Sequence, residues 1–293
     1  MYHLLENEEL RIKINSSGCE LHSIFDKRSG RELLWQADPM IWPKHGPVLF
    51  PVIGRLRGGA YEYGGRTYRM PPHGFASQRE FAHANGGAGR LSLVLRSDAE
   101  TRAVYPFEFN FTLTFKLAGR KLLKTHTIEN LSDQEMLFEV GGHEGYTLFY
   151  EQKENMGQYS LEFSGKKPVS YDLDKDLMIC STLFDLPLKD GRLFLNKDTF
   201  TVDTFIIPDQ SGGHVTLISD KARPVLRVQA GDFSYIGIWT KKLEGSDIRF
   251  VCIEPWSSLP DCSFVSERLE DKSNVQRLTG KESREYSYAI EIV

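Results

Sequence analysis

The stretch FEFNFTLTFKL, residues 107 to 117, alternates apolar and polar residues without a break. Phe107, Phe109, Phe111, Leu113, Phe115 and Leu117 fall on one side, and Glu108, Asn110, Thr112, Thr114 and Lys116 on the other. Successive side chains of an extended chain point to opposite faces, so the pattern predicts a strand with one face on a core and the other in water. Shorter runs of this kind recur as LRIKI near residue 12, LSLVLRS near 94, FTVDTFII near 203, HVTLIS near 216, VLRVQ near 227, DIRFVCIE near 251 and EYSYAIEIV at the end. Gly64-Gly65 between the alternating arms of YEYGGRTY is a two-residue hairpin signal, and LAGRKLL and ENLSDQE read as further turns. Helix formers with a plausible apolar spacing occur only in SFVSERLEDK, residues 263 to 272. No linker, low-complexity tract or internal repeat divides the 293 residues. The fold class expected is all-β: one large antiparallel β-sandwich spanning residues 1–293 as a single domain.

The chain is 40% hydrophobic and 26% charged, with a net charge of -4. That is globular composition with no basic field to attract nucleic acid or anionic lipid, so neither is expected as a partner. MYHLLENEELRIKI lacks the basic and apolar regions of a signal peptide, and no apolar stretch approaches the roughly 20 residues that span a bilayer. The chain therefore reads as cytoplasmic. Cys19, Cys180, Cys252 and Cys262 are scattered and form no CxxC pair, which gives neither a disulfide framework nor a structural zinc site. Phosphate loops, dinucleotide fingerprints, HExxH and GxSxG are all missing from the sequence.

Several polar residues interrupt the strand pattern. An apolar run from Pro47 ends in Gly54-Arg55; the guanidinium either closes a strand in solvent or offers its planar fork to hydroxyls or carboxylates. Arg57, two residues on, competes for that role. His73 sits in PPHGF and His143 in GGHEGY, where two glycines remove side chains and let another group, such as a ligand, approach the backbone. His45 has a similar Gly/Pro setting, so the setting alone is not specific. In IRFVCIEPW, Val251 and Ile253 alternate with Phe250, Cys252 and Glu254, the pattern of a strand buried on both faces. Glu254 either lies in that strand, where burial raises its pKa toward a general base's range, or beyond its end beside Pro255. Asp203, inside FTVDTFII, either faces solvent or serves a site.

Taken in order, GRLRGGAYEYGGRTYRMPPHGFA, GGHEGY, FTVDTF and CIEPW resemble the aldose 1-epimerases, or galactose mutarotases, and most closely their LacX-like branch. The resemblance spans about residues 1 to 290. It implies a distorted β-sandwich, sometimes called a supersandwich, with a sugar cleft on one sheet, and a mutarotase interconverting the α and β anomers of a hexose or related aldose. It further implies His143 as general acid toward the ring oxygen, Glu254 as general base on the anomeric hydroxyl and His73 as a partner on the ring-oxygen side. Arg55 and Asp203 match positions that hold sugar hydroxyls, and Phe75, Tyr146, Trp239 and Trp256 are aromatic candidates for the sugar's CH face. Neither cofactor nor metal is implied; the partner is a small carbohydrate, and the oligomeric state is not legible. Typical galactose mutarotases carry Asn-Arg and Asn-His-Thr-Tyr where this chain has GRLRGG and GGHEGY, so galactose itself is not implied. The alternatives are a hexose-6-phosphate mutarotase, with Arg55, Arg57 and Arg79 as candidate cations, and a carbohydrate-binding protein of the same fold without turnover.

Overall fold

The structure, a computed structural model, describes residues 1–149, 158–165, 167–242 and 248–293. Two large antiparallel sheets dominate it. The first has nine strands in the order Arg192–Phe194, Ser160–Phe163, His214–Ile218, Pro224–Gln229, Ser283–Ile292, Lys121–Asn130, Phe109–Ala118, Arg90–Arg96 and Ala82–Gly87. The second has six, ordered Gly145–Thr147, Phe250–Trp256, Tyr235–Trp239, Thr204–Ile207, Val169–Leu173 and Ile179–Asp185. Among the described residues, a four-stranded sheet from Tyr2 to Glu32 and two strand pairs make up the remaining sheets.

The alternation at residues 107 to 117 is realised as expected. Phe109, Phe111, Leu113 and Phe115 are fully buried, each such side chain adding roughly 1.5–3 kcal/mol of burial, while the residues between them are partly open. Their face joins one apolar core that runs from Leu5 to Ile292 and also takes in Ile236, Ile238, Val251 and Ile253 of the six-stranded sheet. The two sheets thus share that core, which makes the fold an antiparallel β-sandwich.

The neighbouring strand Lys121–Asn130 hides the same pattern because its inward face is partly polar. Leu122, Lys124, His126, Ile128 and Asn130 all point inside. Lys124 Nζ lies 2.8 Å from Glu144 Oε1, and the Tyr288 hydroxyl donates to the same carboxylate at 2.6–2.7 Å. His126 is buried among Phe111, Phe233 and Tyr288.

Residues 263 to 272, the stretch with helix formers at an apolar spacing, hold only a 3-10 turn at Leu269–Asp271. Its backbone is engaged elsewhere: the Ser263 N–H donates to Ile179 O, and the Val265 carbonyl accepts from Arg57. Among the described residues one α-helix forms, Ala99–Val104; it is six residues long, too short to show a periodicity, and is started by a reciprocal capping box between Asp98 and Thr101.

Candidate active site

The six-stranded sheet has one face on the shared core. Its other face carries two smaller apolar clusters, one around Ile53, Ile206 and Trp256 and one around Trp35, Phe250 and Cys252. A cavity of about 260 Å³ opens on this face. Its lining includes Arg55, His73, His143, Asp203, Trp239, Glu254 and Trp256, residues that lie as much as 201 positions apart in sequence.

Glu254 lies inside its strand, paired opposite Gly237, and every residue of Phe250–Trp256 is buried. The position beyond the strand end is therefore excluded. Gly237 is needed there, because a Cβ on it would stand 2.7 Å from the Trp256 indole that lies across it. Asp203 does not lie within a strand as the FTVDTFII pattern predicted. The chain bends through Thr201, Val202 and Asp203 and pairs only from Thr204, which leaves the Asp203 side chain exposed at the cleft.

The two glycines before His143 admit protein rather than a ligand. A Cβ at Gly141 would meet Pro255 O at 2.8 Å, and one at Gly142 would meet the Tyr288 hydroxyl at 2.2 Å. They let this segment pack against the strand of Glu254 and the nine-stranded sheet. His143 then turns to the cleft, and Glu144 turns inward to Lys124 and Tyr288.

His73 has φ +66° and Gly74 φ +75°, a reversal that brings the chain against Phe50; a Cβ at Gly74 would stand 2.2 Å from Phe50 O. The His73 imidazole is held from Gly54, whose N–H donates to Nδ1 at 3.2 Å. With Nδ1 accepting, the neutral ring carries its hydrogen on Nε2. The same reversal turns Phe75 away from the cleft: it is buried in the core against Phe50, Tyr105 and Phe109 and does not line the site. Tyr146 is likewise a core residue.

His143 Nε2 and Glu254 Oε2 are 3.3 Å apart, and the His73 and His143 rings stand edge to face with centroids 5.2 Å apart. Burial drives the proton affinities. It pushes the Glu254 carboxyl well above the usual carboxylate range, with Glu144 and Asp203 adding to the shift. The Trp256 indole N–H favours the charged form, although its geometry falls short of a hydrogen bond. Burial likewise holds His143 well below the ordinary histidine value, and lowers His73 to about 4.

Arg55 and Arg57 separate cleanly. Arg57 is tied down by Glu267 and by the carbonyls of Cys262 and Val265, whereas Arg55 lines the cleft. The loop between them is pinned from below: the Ile53 N–H donates to Glu139 at 2.7 Å, the Arg57 N–H donates to Asp261 at 2.8 Å, and the buried Lys272 ammonium bridges both carboxylates. Arg79 pairs with Glu100 outside the cleft.

The sequence reading missed Trp42, Lys44 and Lys241 as lining residues. Trp42 stacks on Phe250 and His143, with centroid distances of 5.2 and 5.3 Å, and meets Trp239 edge-on at 5.4 Å. A tryptophan inside the irregular, proline-flanked IWPKHGP was the available signal. His143, Cys252 and Glu254 also offer ligand atoms within 4.8 Å of one another, but burial holds the Cys252 thiol and the Glu254 carboxyl in protonated forms that a metal would have to displace.

A family model described as aldose 1-epimerase matches residues 1–270. The chain belongs to the aldose 1-epimerase family. Protein LacX of Lactococcus lactis subsp. lactis, in its chromosomal form, is 29% identical over 99% of this chain and 98% of that protein. A galactose mutarotase related enzyme from Lactobacillus acidophilus superposes with a TM-score of 0.93 at 30% identity, covering all of this chain and 97% of that one. A galactose 1-epimerase from Lactobacillus acidophilus NCFM, 13% identical over 100% of this chain and 94% of its own, shares the fold with a TM-score of 0.71. Among the described residues of this family member, no helix is long and apolar enough to cross a membrane.

Proposed function

We propose that this family member is a mutarotase, an isomerase that interconverts the α and β anomers of a hexose or related aldose by opening and reclosing the ring. The observation that carries the reading is the 3.3 Å approach of His143 Nε2 to Glu254 Oε2 in a cleft that also holds His73. A passive sugar binder has no need of an acid and a base so close together.

Glu254 takes the proton of the hydroxyl on C1 while His143 delivers a proton to the ring oxygen, and the bond between C1 and that oxygen breaks. The open aldehyde turns about the bond from C1 to C2. Reclosure reverses both transfers, so atoms and protons balance with no redox partner. Burial sets the two groups so that one proton is shared between them, and moving it from carboxyl to imidazole yields the carboxylate and imidazolium that start the reaction. Each properly placed acid or base contributes roughly 10²- to 10⁴-fold.

His73, neutral with its hydrogen on Nε2, donates on the ring-oxygen side. Arg55 and Asp203 hold hydroxyls, and Trp239 with Trp42 supplies flat apolar faces for the CH side of the ring. A single sandwich domain working on a soluble aldose in the cytoplasm completes the reading.

The test is polarimetry on freshly dissolved single anomers with the purified chain. Acceleration of the rotation change, first order in enzyme, supports the proposal. An unchanged rate across a panel of neutral and acidic aldoses, alongside measurable sugar binding, would make the protein a binding module.

A further inference from the structure

A second group of side chains converges outside the cleft. Glu20 and His22 lie two residues apart on the strand Glu20–Asp26 of the four-stranded sheet, so both point to the same side of it. His45 comes from the irregular segment that carries Trp42 and Lys44 into the cleft. Its imidazole stacks on that of His22, with ring centroids 3.9 Å apart and planes 24° from parallel. His22 Nε2 lies 3.1 Å from Glu20 Oε2. Two imidazole nitrogens and a carboxylate oxygen thus stand within 4.8 Å of one another, on half-buried side chains.

The backbone around this group is held in place. Glu20 Oε1 accepts the N–H of His45 at 2.9 Å and that of Gly46 at 3.0 Å, and the His45 carbonyl accepts the N–H of Gly145 at 2.9 Å. Backbone donors on one oxygen orient a carboxylate and leave the other oxygen for an ion. The His45 ring nitrogens have no hydrogen-bond partner among the described residues, so a lone pair there is uncommitted. A tetrahedral site with bonds of about 2.0–2.1 Å sets its ligand atoms about 3.3 Å apart. Glu20 and His22 already meet that spacing, and His45 reaches it by a side-chain swing of roughly 1.5 Å. The same swing fans the two rings apart, which is required because stacked imidazoles do not aim both lone pairs at one point.

Charge alone would not hold an ion here. Glu20 is the carboxylate of the set, and the Lys13 ammonium stands nearby, 3.9 Å from the centroid of the Tyr2 ring, which in turn meets His22 edge-on at 5.4 Å. Affinity must come from bonds to the two imidazoles, which suit zinc-like ions; calcium and magnesium prefer oxygen ligands throughout. We propose that Glu20, His22 and His45 bind a divalent transition-metal ion of the zinc class, with water in the fourth position, and that the ion clamps the segment of Trp42 and Lys44 to the four-stranded sheet. The three residues lie outside the cleft, and the site stands whether or not the cleft turns over a sugar.

The experiment uses the full chain, freed of metal by chelation and titrated with Zn²⁺ by calorimetry and with Co²⁺ by visible absorption. One equivalent of ion is expected, with the visible bands of four-coordinate cobalt and a change in tryptophan fluorescence as the Trp42 segment is clamped. His22→Gln and His45→Gln should each weaken binding ten-fold or more while circular dichroism stays that of the wild type. Glu20→Gln should do the same, because its amide oxygen can still accept the two backbone N–H groups that order the segment. The His3→Gln/His83→Gln double variant, which removes a stacked histidine pair with centroids 6.3 Å apart, should bind as the wild type does. No stoichiometric ion at micromolar concentrations, or binding that survives His45→Gln, overturns the site. Loss of binding in the His3→Gln/His83→Gln variant overturns it too, by placing the ion elsewhere. A bound ion that leaves the fluorescence unchanged upholds the site and overturns the clamp.

Discussion

His143 Nε2 stands 3.3 Å from Glu254 Oε2, with the imidazole 9% and the carboxyl 1% exposed. The two residues come from different parts of the sandwich, His143 from the irregular segment before Gly145–Thr147 and Glu254 from the middle of Phe250–Trp256. At this distance and burial neither ionises independently of the other, and the pair titrates as a unit.

Glu254→Gln keeps the shape of the side chain and removes the carboxylate proposed as the base. Its expected effect, like that of His143→Asn, is a loss of about 10²- to 10⁴-fold in kcat with the fold retained. Polarimetry alongside circular dichroism checks both variants. Full activity in each would remove these two residues from the chemistry.

His73 makes stability depend on pH in the acid range. Burial lowers its folded pKa from 6.5 to about 4, so below pH 6.5 the unfolded chain gains a proton that the folded imidazole refuses. Stability is then complete above pH 6.5, falls as pH drops from 6.5 to about 4, and stops changing on this account below that. Denaturant melts of the wild type and His73→Asn across this range should show a shallower acid decline in the variant. Parallel curves would contradict the assignment.

Lys124 and Glu144 form a fully buried pair between the nine-stranded sheet and the segment carrying His143. Lys124→Met leaves the Glu144 carboxylate buried and without its cation, at a cost of about 3–5 kcal/mol. Adding Glu144→Gln should recover part of that loss, since the amide needs no counter-charge. Urea unfolding of the two singles and the double gives the coupling; strict additivity would mean that the pair does not act as one.

Arg55 and Arg57 should respond oppositely to Gln substitution. Arg57→Gln breaks hydrogen bonds to two carbonyls and Glu267 and is expected to lose about 1–3 kcal/mol of stability. Arg55→Gln is expected to change stability by no more than about 0.5 kcal/mol and to raise KM for the sugar. Thermal melts and steady-state kinetics on both variants separate the roles.

Much of the fold was legible in the sequence because a strand advertises itself through the two-residue period of its side chains. Phe107 to Leu117 needs no partner to be read that way. Lys121–Asn130 was not legible, because Lys124 and His126 face inward, and only Glu144, Tyr288 and the surrounding rings make that tolerable. The stretch 263 to 272, whose composition suits a helix, holds only a 3-10 turn for a related reason: Val265 and Ser263 found backbone partners in Arg57 and Ile179, far away in sequence.

The candidate site divides in the same way. Sequence alone determined the residue types and their order, with a histidine in PPHGF, a histidine after two glycines and a glutamate in an apolar strand, because each is conspicuous against its local pattern. Only the tertiary structure decided that these three share one cleft, that Phe75 turns into the core, that Arg55 rather than Arg57 faces the cavity, and that Trp42 and Lys44 belong with them. Local pattern fixes which face of a strand or turn a side chain takes, whereas convergence depends on how sheets and loops distant in sequence pack. That packing is set by contacts such as Gly142 against Tyr288 and Gly74 against Phe50, which no single stretch of the chain contains.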